Sequence, residues 1–309
     1  MNVRRKHITV FTSASDTTLP HLAVTLQSIN DHANGDFVYD VRILTSGLAP
    51  YNRRRLRHMT LANLNVTIVD INARVEYYRA DLEERLTDYM GEEIFYPFFI
   101  SAIYPRLAKA LYIEPGTLFR CDADQLYSLD VGDAVISGFA DRRVKTCPHF
   151  SDYTHKWVGV PSECYVGASV LFMDLSAFRK YKLEEKFTRL IQGYNFDTVS
   201  PAADYLNFLC RGCSRVITDE LDADAVVAFD PLMRPWHYPD APYADEFWDV
   251  ARRTPFYEDI RQSYVELGAD GRARLDDQRE RFSGRAAALS ELFSGFFATL
   301  GDNYLIAKK

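Results

Sequence analysis

Several residue groups in this 309-residue chain are of types that could do chemistry. Cys210-Arg-Gly-Cys213 sets two thiols at a metal-ligand spacing, but no second pair and no His stand at ligand spacing from it. Zinc needs four donors, so the pair reads as reduced and structural. Arg53-Arg54-Arg55-Leu56-Arg57 is the one dense basic run. Neutralising nucleic-acid phosphates takes clustered Lys/Arg, and on a helix this run reads as a solvated face. Arg142, Arg143 and Lys145 follow a strand end, and Arg234 precedes the aromatic loop Pro235-Trp236-His237-Tyr238-Pro239. Guanidinium groups bind phosphate oxygens in bidentate fashion.

The elements that must position these groups alternate. Ile8–Phe11 is a β-branched, apolar run and reads as a strand; Thr12–Thr18 is small and polar, a loop. Pro20 then opens a helix with Leu22, Leu26, Ile29 and Ala33 at helical spacing. Tyr39–Thr45, Val66–Val69 and Ala110–Ile113 read as three further strands. Helices are expected over Arg53–Leu61, Asp81–Met90 and Tyr96–Ala108. This alternation predicts right-handed crossover units in a doubly wound, mostly parallel α/β sheet. Such sheets bind ligands at the carboxyl ends of their strands. That directs attention to the loop Thr12–Thr18 and the turn Glu114–Gly116. Beyond them, Ala134–Phe139 and Ala168–Phe172 read as strands, and Leu175–Ile191 and Ala203–Leu209 as helices. The charged stretch Asp270–Arg281 leads into a helix whose apolar face carries Leu289, Leu292, Phe293, Phe296, Phe297 and Leu300.

Composition narrows the function classes. With 36 Lys+Arg, 43 Asp+Glu and a net charge of −7, the chain is a poor nucleic-acid binder. Hydrophobic residues at 47% and charged residues at 26% are ordinary globular usage. Five cysteines, an odd number, do not form a disulfide framework. The apolar stretch after the basic N-terminus is too short for a signal segment, and no run reaches the ~20 apolar residues of a membrane span. The expected setting is cytoplasmic, with a peripheral place at the inner membrane face as the alternative.

The motifs now assemble into a resemblance. Ala110-Leu-Tyr-Ile-Glu-Pro-Gly116 with Gln125-Leu-Tyr-Ser-Leu-Asp-Val-Gly-Asp133 resembles the metal-site strand and following segment of glycosyltransferase family 8. Ile8–Thr18 with Leu22–Leu26 resembles its first strand, uridine loop and first helix. Tyr165–Leu175 resembles its Asn-Ala-Gly strand. Arg234-Pro-Trp236, Ala241–Trp248 and Arg253–Tyr257 resemble the end of its catalytic domain. The likeness runs over residues 7–260 and implies an A-type, Rossmann-like glycosyltransferase fold. It divides the chain into a transferase-like domain, 1–260, and a C-terminal helical extension, 261–309.

The family's chemistry needs a divalent cation, usually manganese, held by an Asp-x-Asp turn and a distant His to stabilise the leaving nucleoside diphosphate. Here the turn reads Glu114-Pro115-Gly116, so Glu114 is the one implied metal ligand, and the His position aligns with Ala228. Asp122-Ala123-Asp124 has the pattern but lies beyond the turn and reads as a decoy. The resemblance places Thr12, Ser13, Ser15, Asp16, Glu114 and Arg234 at the donor nucleotide, with Thr18 also in the uridine loop. It places Asp204, last of a triplet that reads Ala202-Ala203-Asp204, at the transferred sugar as the catalytic carboxylate.

Three expectations follow. The first is a degenerate transferase with weak catalysis and no required cofactor. It would act in bacterial glycan or glycoprotein synthesis beside an active transferase, or as a homo-oligomer through the C-terminal helix. The second is an active, retaining hexosyltransferase using a UDP-sugar and a glycan or glycoprotein acceptor, with manganese or with a rebuilt, metal-independent site. The third is a lectin-like module reading sugars with Trp157 and Trp236.

Overall fold

The computed structural model describes residues 5–86, 90–129, 131–218, 221, 224–231, 233–292 and 295–300. Asp130, Phe293 and Lys308-Lys309 lie outside the described residues. The chain folds around a mostly parallel, seven-stranded sheet with flanking helices, and forms two compact units, each drawn from separate stretches of sequence.

The first unit comprises Met1–Asn72, Ile113–Leu129 and Asp219–Arg279. Its strands β1 (Lys6–Ser13), β2 (Phe37–Thr45) and β3 (Leu64–Asp70) pair in parallel in the order β3-β2-β1. Val10 lies opposite Val41, and Ile43 opposite Ile68. Helix α1 (Leu19–His32) carries Pro20 in its first turn and buries Leu22, Leu26 and Ile29. Helix α2 (Pro50–Arg57) ends four residues before the expected Leu61, whose carbonyl accepts from Leu64 N at 3.2 Å to open β3. Asp16 fixes the start of α2, accepting from Ala49 N at 3.0 Å and Asn52 Nδ2 at 2.8 Å. In the basic run, Arg55 is not part of a solvated face. It pairs with Asp259, donates to Pro255 O and lies 4.1 Å over the Phe256 ring.

Two short antiparallel strands, β5 (Leu118–Phe119) and β9 (Val226–Val227), complete this unit. Around them Val24, Leu118, Val227, Phe229, Trp236 and Phe247 form one apolar cluster. Asp122 is nearly buried, capping the short helix Ala123–Tyr127 and accepting from Tyr39 Oη and Asn34 N. The Asp-x-Asp string thus serves the packing of this unit.

The second unit comprises Ala73–Tyr112, Asp130–Thr218 and Glu280–Lys309. Its strands are β4 (Lys109–Ile113), β6 (Ile136–Ala140), β7 (Val166–Asp174) and β8 (Ser214–Ile217), in the order β4-β7-β6-β8. β6 and β7 run antiparallel with a bulge between Gly138 and Ala140. A Cβ on Gly138 would stand 2.4 Å from Val170 O, so the strands approach this closely only because that residue has no side chain. The helix expected over Tyr96–Ala108 is instead a 3₁₀ segment, Glu92–Phe99, followed by one α turn, Ile100–Ile103. Pro97 offers no backbone donor within it. The helix expected over Leu175–Ile191 is two, Leu175–Lys180 and Leu183–Gly193, broken where Lys182 takes a positive φ of 54°.

The C-terminal helix Tyr257–Ser290 is interrupted at Gly268, and the helix Phe296–Leu300 follows it. Phe296 is fully buried and stacks on Phe196 at 4.3 Å, with Tyr205 edge-on at 5.1 Å. Leu289 and Leu300 are also buried, whereas Leu292 is 49% exposed. The stripe expected as a docking face therefore packs largely within its own unit. Among the described residues no helix is long and apolar enough to cross a membrane.

Asp204 is the buried centre of this second unit. It lies on helix Pro201–Leu209 with no exposed surface. Its carboxylate accepts from Tyr165 Oη at 2.6 Å, Tyr153 Oη at 2.8 Å and Ser200 N at 2.9 Å. Burial pushes its carboxyl up to about 6, against the pull of Tyr165, Ser200, Tyr153 and the Arg143 charge. A raised value favours the protonated form in the folded state, so this contribution is present below the ordinary 3.8 and lost as pH rises through about 6. D204A, which strands three buried donors, is expected to destabilise by about 3 kcal/mol. D204N keeps an acceptor and should cost about 1 kcal/mol, while flattening the pH dependence of stability between pH 4 and 6. Urea denaturation of the three proteins across that range checks both.

Candidate functional site

The turn after β4 is shaped by three polar residues of α1 that share one helical face, His21, Thr25 and Ser28, spaced i, i+4 and i+7. Thr25 Oγ1 accepts from Gly116 N at 3.0 Å, and Ser28 Oγ accepts from Phe119 N at 3.0 Å. The turn closes on itself through Thr117, whose hydroxyl donates to Glu114 O at 2.8 Å. Gly116 takes φ +91°, a backbone region that side chains disfavour. A Cβ there would meet Trp236 Cη2 at 2.5 Å.

Trp236 is held on every side. His21 stacks on it with centroids 4.1 Å apart, Phe247 lies at 5.0 Å and Phe229 packs edge-on at 6.1 Å. The chain reaches this position through a tight turn, in which His237 N and Tyr238 N both donate to Arg234 O. The turn brings Arg234 over the Trp236 ring, 5.3 Å from its centroid, and to 3.8 Å from Glu114 Oε1. That separation is an ion pair and exceeds a hydrogen bond. Beside the guanidinium stand two imidazoles, both neutral at physiological pH. Burial, then Arg234 and His237, pull His21 down to about 3. Burial, then Arg234, pull His237 down to about 4.

The residues placed at the donor nucleotide by sequence fall out as follows. Glu114 and Arg234 come together. Thr12 and Ser13 are buried at the end of β1. Ser15 is engaged with Thr18, its N donating to Thr18 Oγ1 at 3.0 Å, and Asp16 with the start of α2. Asp204 lies in the second unit, within its tyrosine clamp. Arg143, considered as a substitute cation, is buried; it is bound through Nε to Asp141 at 2.8 Å and through Nη2 to Ser200 Oγ at 2.7 Å. The two indoles considered for sugar reading, Trp157 and Trp236, are 4% and 6% exposed. His21 and His237 were not singled out by sequence. The polar face of α1 was a signal for the first, and its adjacency to Arg234-Pro-Trp for the second.

A manganese site implied by the resemblance can be tested against this geometry. A hard dication takes several oxygen ligands. Here one carboxylate faces a guanidinium, an indole edge stands where a second carboxylate's Cβ would be, and Ala228 offers no side-chain donor. Among the described residues no group of three or more His, Cys, Asp or Glu side chains could hold an ion. These residues do not fit a divalent cation.

Comparison with known proteins identifies the scaffold. No curated protein sequence matches the chain. Among solved structures it is similar to the apo bifunctional glycosyltransferase WbbM, with TM-score 0.66, 16% identity, and coverage of 85% of this chain and 52% of that one. The chain thus spans about half the length of WbbM. It is similar also to the galactosyltransferase LgtC in complex with donor and acceptor sugar analogues, with TM-score 0.64, 18% identity, and 80% and 96% coverage. The glycosyltransferase GlyE of Streptococcus pneumoniae TIGR4 gives TM-score 0.57 at 10% identity, with 85% and 64% coverage. At these identities the likeness is one of fold. The sequence profile of glycosyl transferase family 8 matches residues 9–237, most of the chain, and the protein belongs to that family.

Proposed function

We propose that this family 8 chain binds a nucleotide sugar without a divalent cation and transfers the sugar slowly or not at all, working in glycan or glycoprotein synthesis beside an active transferase. The observation that carries this reading is the Arg234–Glu114 pair beneath Trp236, in the turn where the family pattern expects metal ligands. A metal's stabilisation of a leaving diphosphate is worth several kcal/mol, and each ~1.4 kcal/mol is tenfold in rate. A single guanidinium supplies part of that, enough for binding. The engaged oxygens of Asp204 support a positioning role for it in place of a catalytic one.

Calorimetric titration of UDP and a panel of UDP-hexoses, in EDTA and in manganese, tests the proposal. Affinity is expected to agree within about twofold between the two conditions, since the ion pair supplies the site's cation. A complex at least tenfold tighter in manganese would overturn it. Turnover equal in EDTA and manganese, at rates usual for transferases, would leave the site metal-free and replace the slow-transfer part of the proposal.

The turn makes its own prediction. Restoring a carboxylate by G116D should give no manganese-dependent thermal shift and should destabilise the protein by about 2–4 kcal/mol, from the positive φ and the collision with Trp236. Denaturant melts with and without manganese check it.

A further inference from the structure

The Cys-x-x-Cys pair lies within the second unit, at the corner where helix Pro201–Leu209 ends. Cys210 caps that helix and is buried; Cys213, immediately before β8, is half-buried. The four residues form a closed turn. Cys213 N donates to Cys210 O at 2.8 Å, and Gly212, in third position, takes a left-handed φ of +73°. Such a turn holds its first and last Cα atoms within about 7 Å, and a disulfide spans Cα separations of about 4.4–6.8 Å. The backbone is therefore already drawn up for a bridge between its ends. It is anchored from outside too, since Cys213 O accepts from Val135 N at 2.7 Å just before β6.

The two sulfurs are not equivalent. Cys210 stands at the carbonyl end of a helix, where the macrodipole opposes negative charge. Burial, then the neighbouring Cys213 sulfur, hold its thiol well above the ordinary value, against the pull of Lys186. Attack on an oxidant belongs to a thiolate, which leaves it to Cys213, next to the exposed Gly212.

We propose that Cys210 and Cys213 are a redox-modification site, a dithiol that a low-molecular-weight disulfide converts to an intramolecular bridge closing the turn. The Cys213 thiolate attacks one sulfur of glutathione disulfide, forming a mixed disulfide and expelling one glutathione. The Cys210 sulfur then attacks Cys213 Sγ and expels the second glutathione. Two protein thiols are oxidised, one glutathione disulfide is reduced, and the protons of both cysteines end on the two glutathiones. The proposal is independent of the donor-site reading above.

The full chain is equilibrated with reduced and oxidised glutathione, folded and in concentrated urea, then acid-quenched, alkylated and mapped by mass spectrometry. The Cys210–Cys213 bridge is expected to be at least about 10-fold more favoured in the folded chain, because the turn is preformed. By the closed cycle of folding and oxidation the same factor, about 1.4 kcal/mol, must appear as added resistance of the oxidised protein to denaturant. C210S should stop at a glutathione adduct on Cys213, and C213S should leave Cys210 unmodified. C164S, which removes an exposed thiol on a residue whose carbonyl accepts from Ser214 Oγ at 3.3 Å, should leave the bridge unchanged. Equal preference for the bridge in folded and unfolded chain overturns the assignment. So does a bridge from Cys213 to Cys164 or to a second copy, or both thiols remaining alkylatable in excess glutathione disulfide. An adduct on Cys210 in C213S would overturn the order of attack. The comparison of folded and urea-unfolded chain uses the wild type alone, so it stands whether or not a variant folds.

Discussion

The edge of the Trp236 indole occupies the space that a side chain on residue 116 would need, and the first unit is built around that contact. Thr25 ties the Gly116 amide to α1, the same helix stacks His21 on the indole, and Phe229 and Phe247 close it from the C-terminal segment. Burying an aromatic of this size is worth a few kcal/mol, so the ring is not displaced at little cost to admit a carboxylate. Absence of a second acid in the turn is thus a feature of the packing around it, with the left-handed glycine, the helix polar face and the aromatic loop all consistent with one arrangement.

The second unit treats its charged residues in a comparable way. Asp204, at a position the family pattern assigns to the sugar, accepts three hydrogen bonds inside the core. Arg143 is bound to Asp141 and Ser200 and lies 5.1 Å over both the Phe150 and Phe282 rings. A buried ion is tolerated when it is paired and hydrogen-bonded. Both side chains have become part of the scaffold, and removal of one partner exposes the other to the full desolvation penalty.

Much of the fold was legible in the sequence. The strands β1 to β4, β6 and β7 announced themselves as apolar or alternating runs, and α1 by its four-residue apolar spacing after Pro20. Errors fell where one residue overrides the pattern. Pro97 turns a helical run into a 3₁₀ segment, and Lys182 at positive φ splits a long amphipathic stretch in two. The loss of the second carboxylate was legible, because glycine has no side chain. What fills its place was not. Periodicity reports which face of α1 is polar, but not that Trp236, far along the chain, lies against His21 and Gly116. For the same reason Arg234 read as a stand-in cation while its two imidazole neighbours went unremarked.

The charge balance of the cluster follows from its burial. A dication demands a shell of anionic oxygens; a guanidinium, more weakly hydrated and singly charged, is paired here with the Glu114 carboxylate. Adding positive charge to either imidazole beside it would incur both desolvation and repulsion from Arg234, which is why both are held well below the ordinary imidazole value. Among the described residues the turn therefore brings together the Arg234 guanidinium, the Glu114 carboxylate and two neutral polar rings.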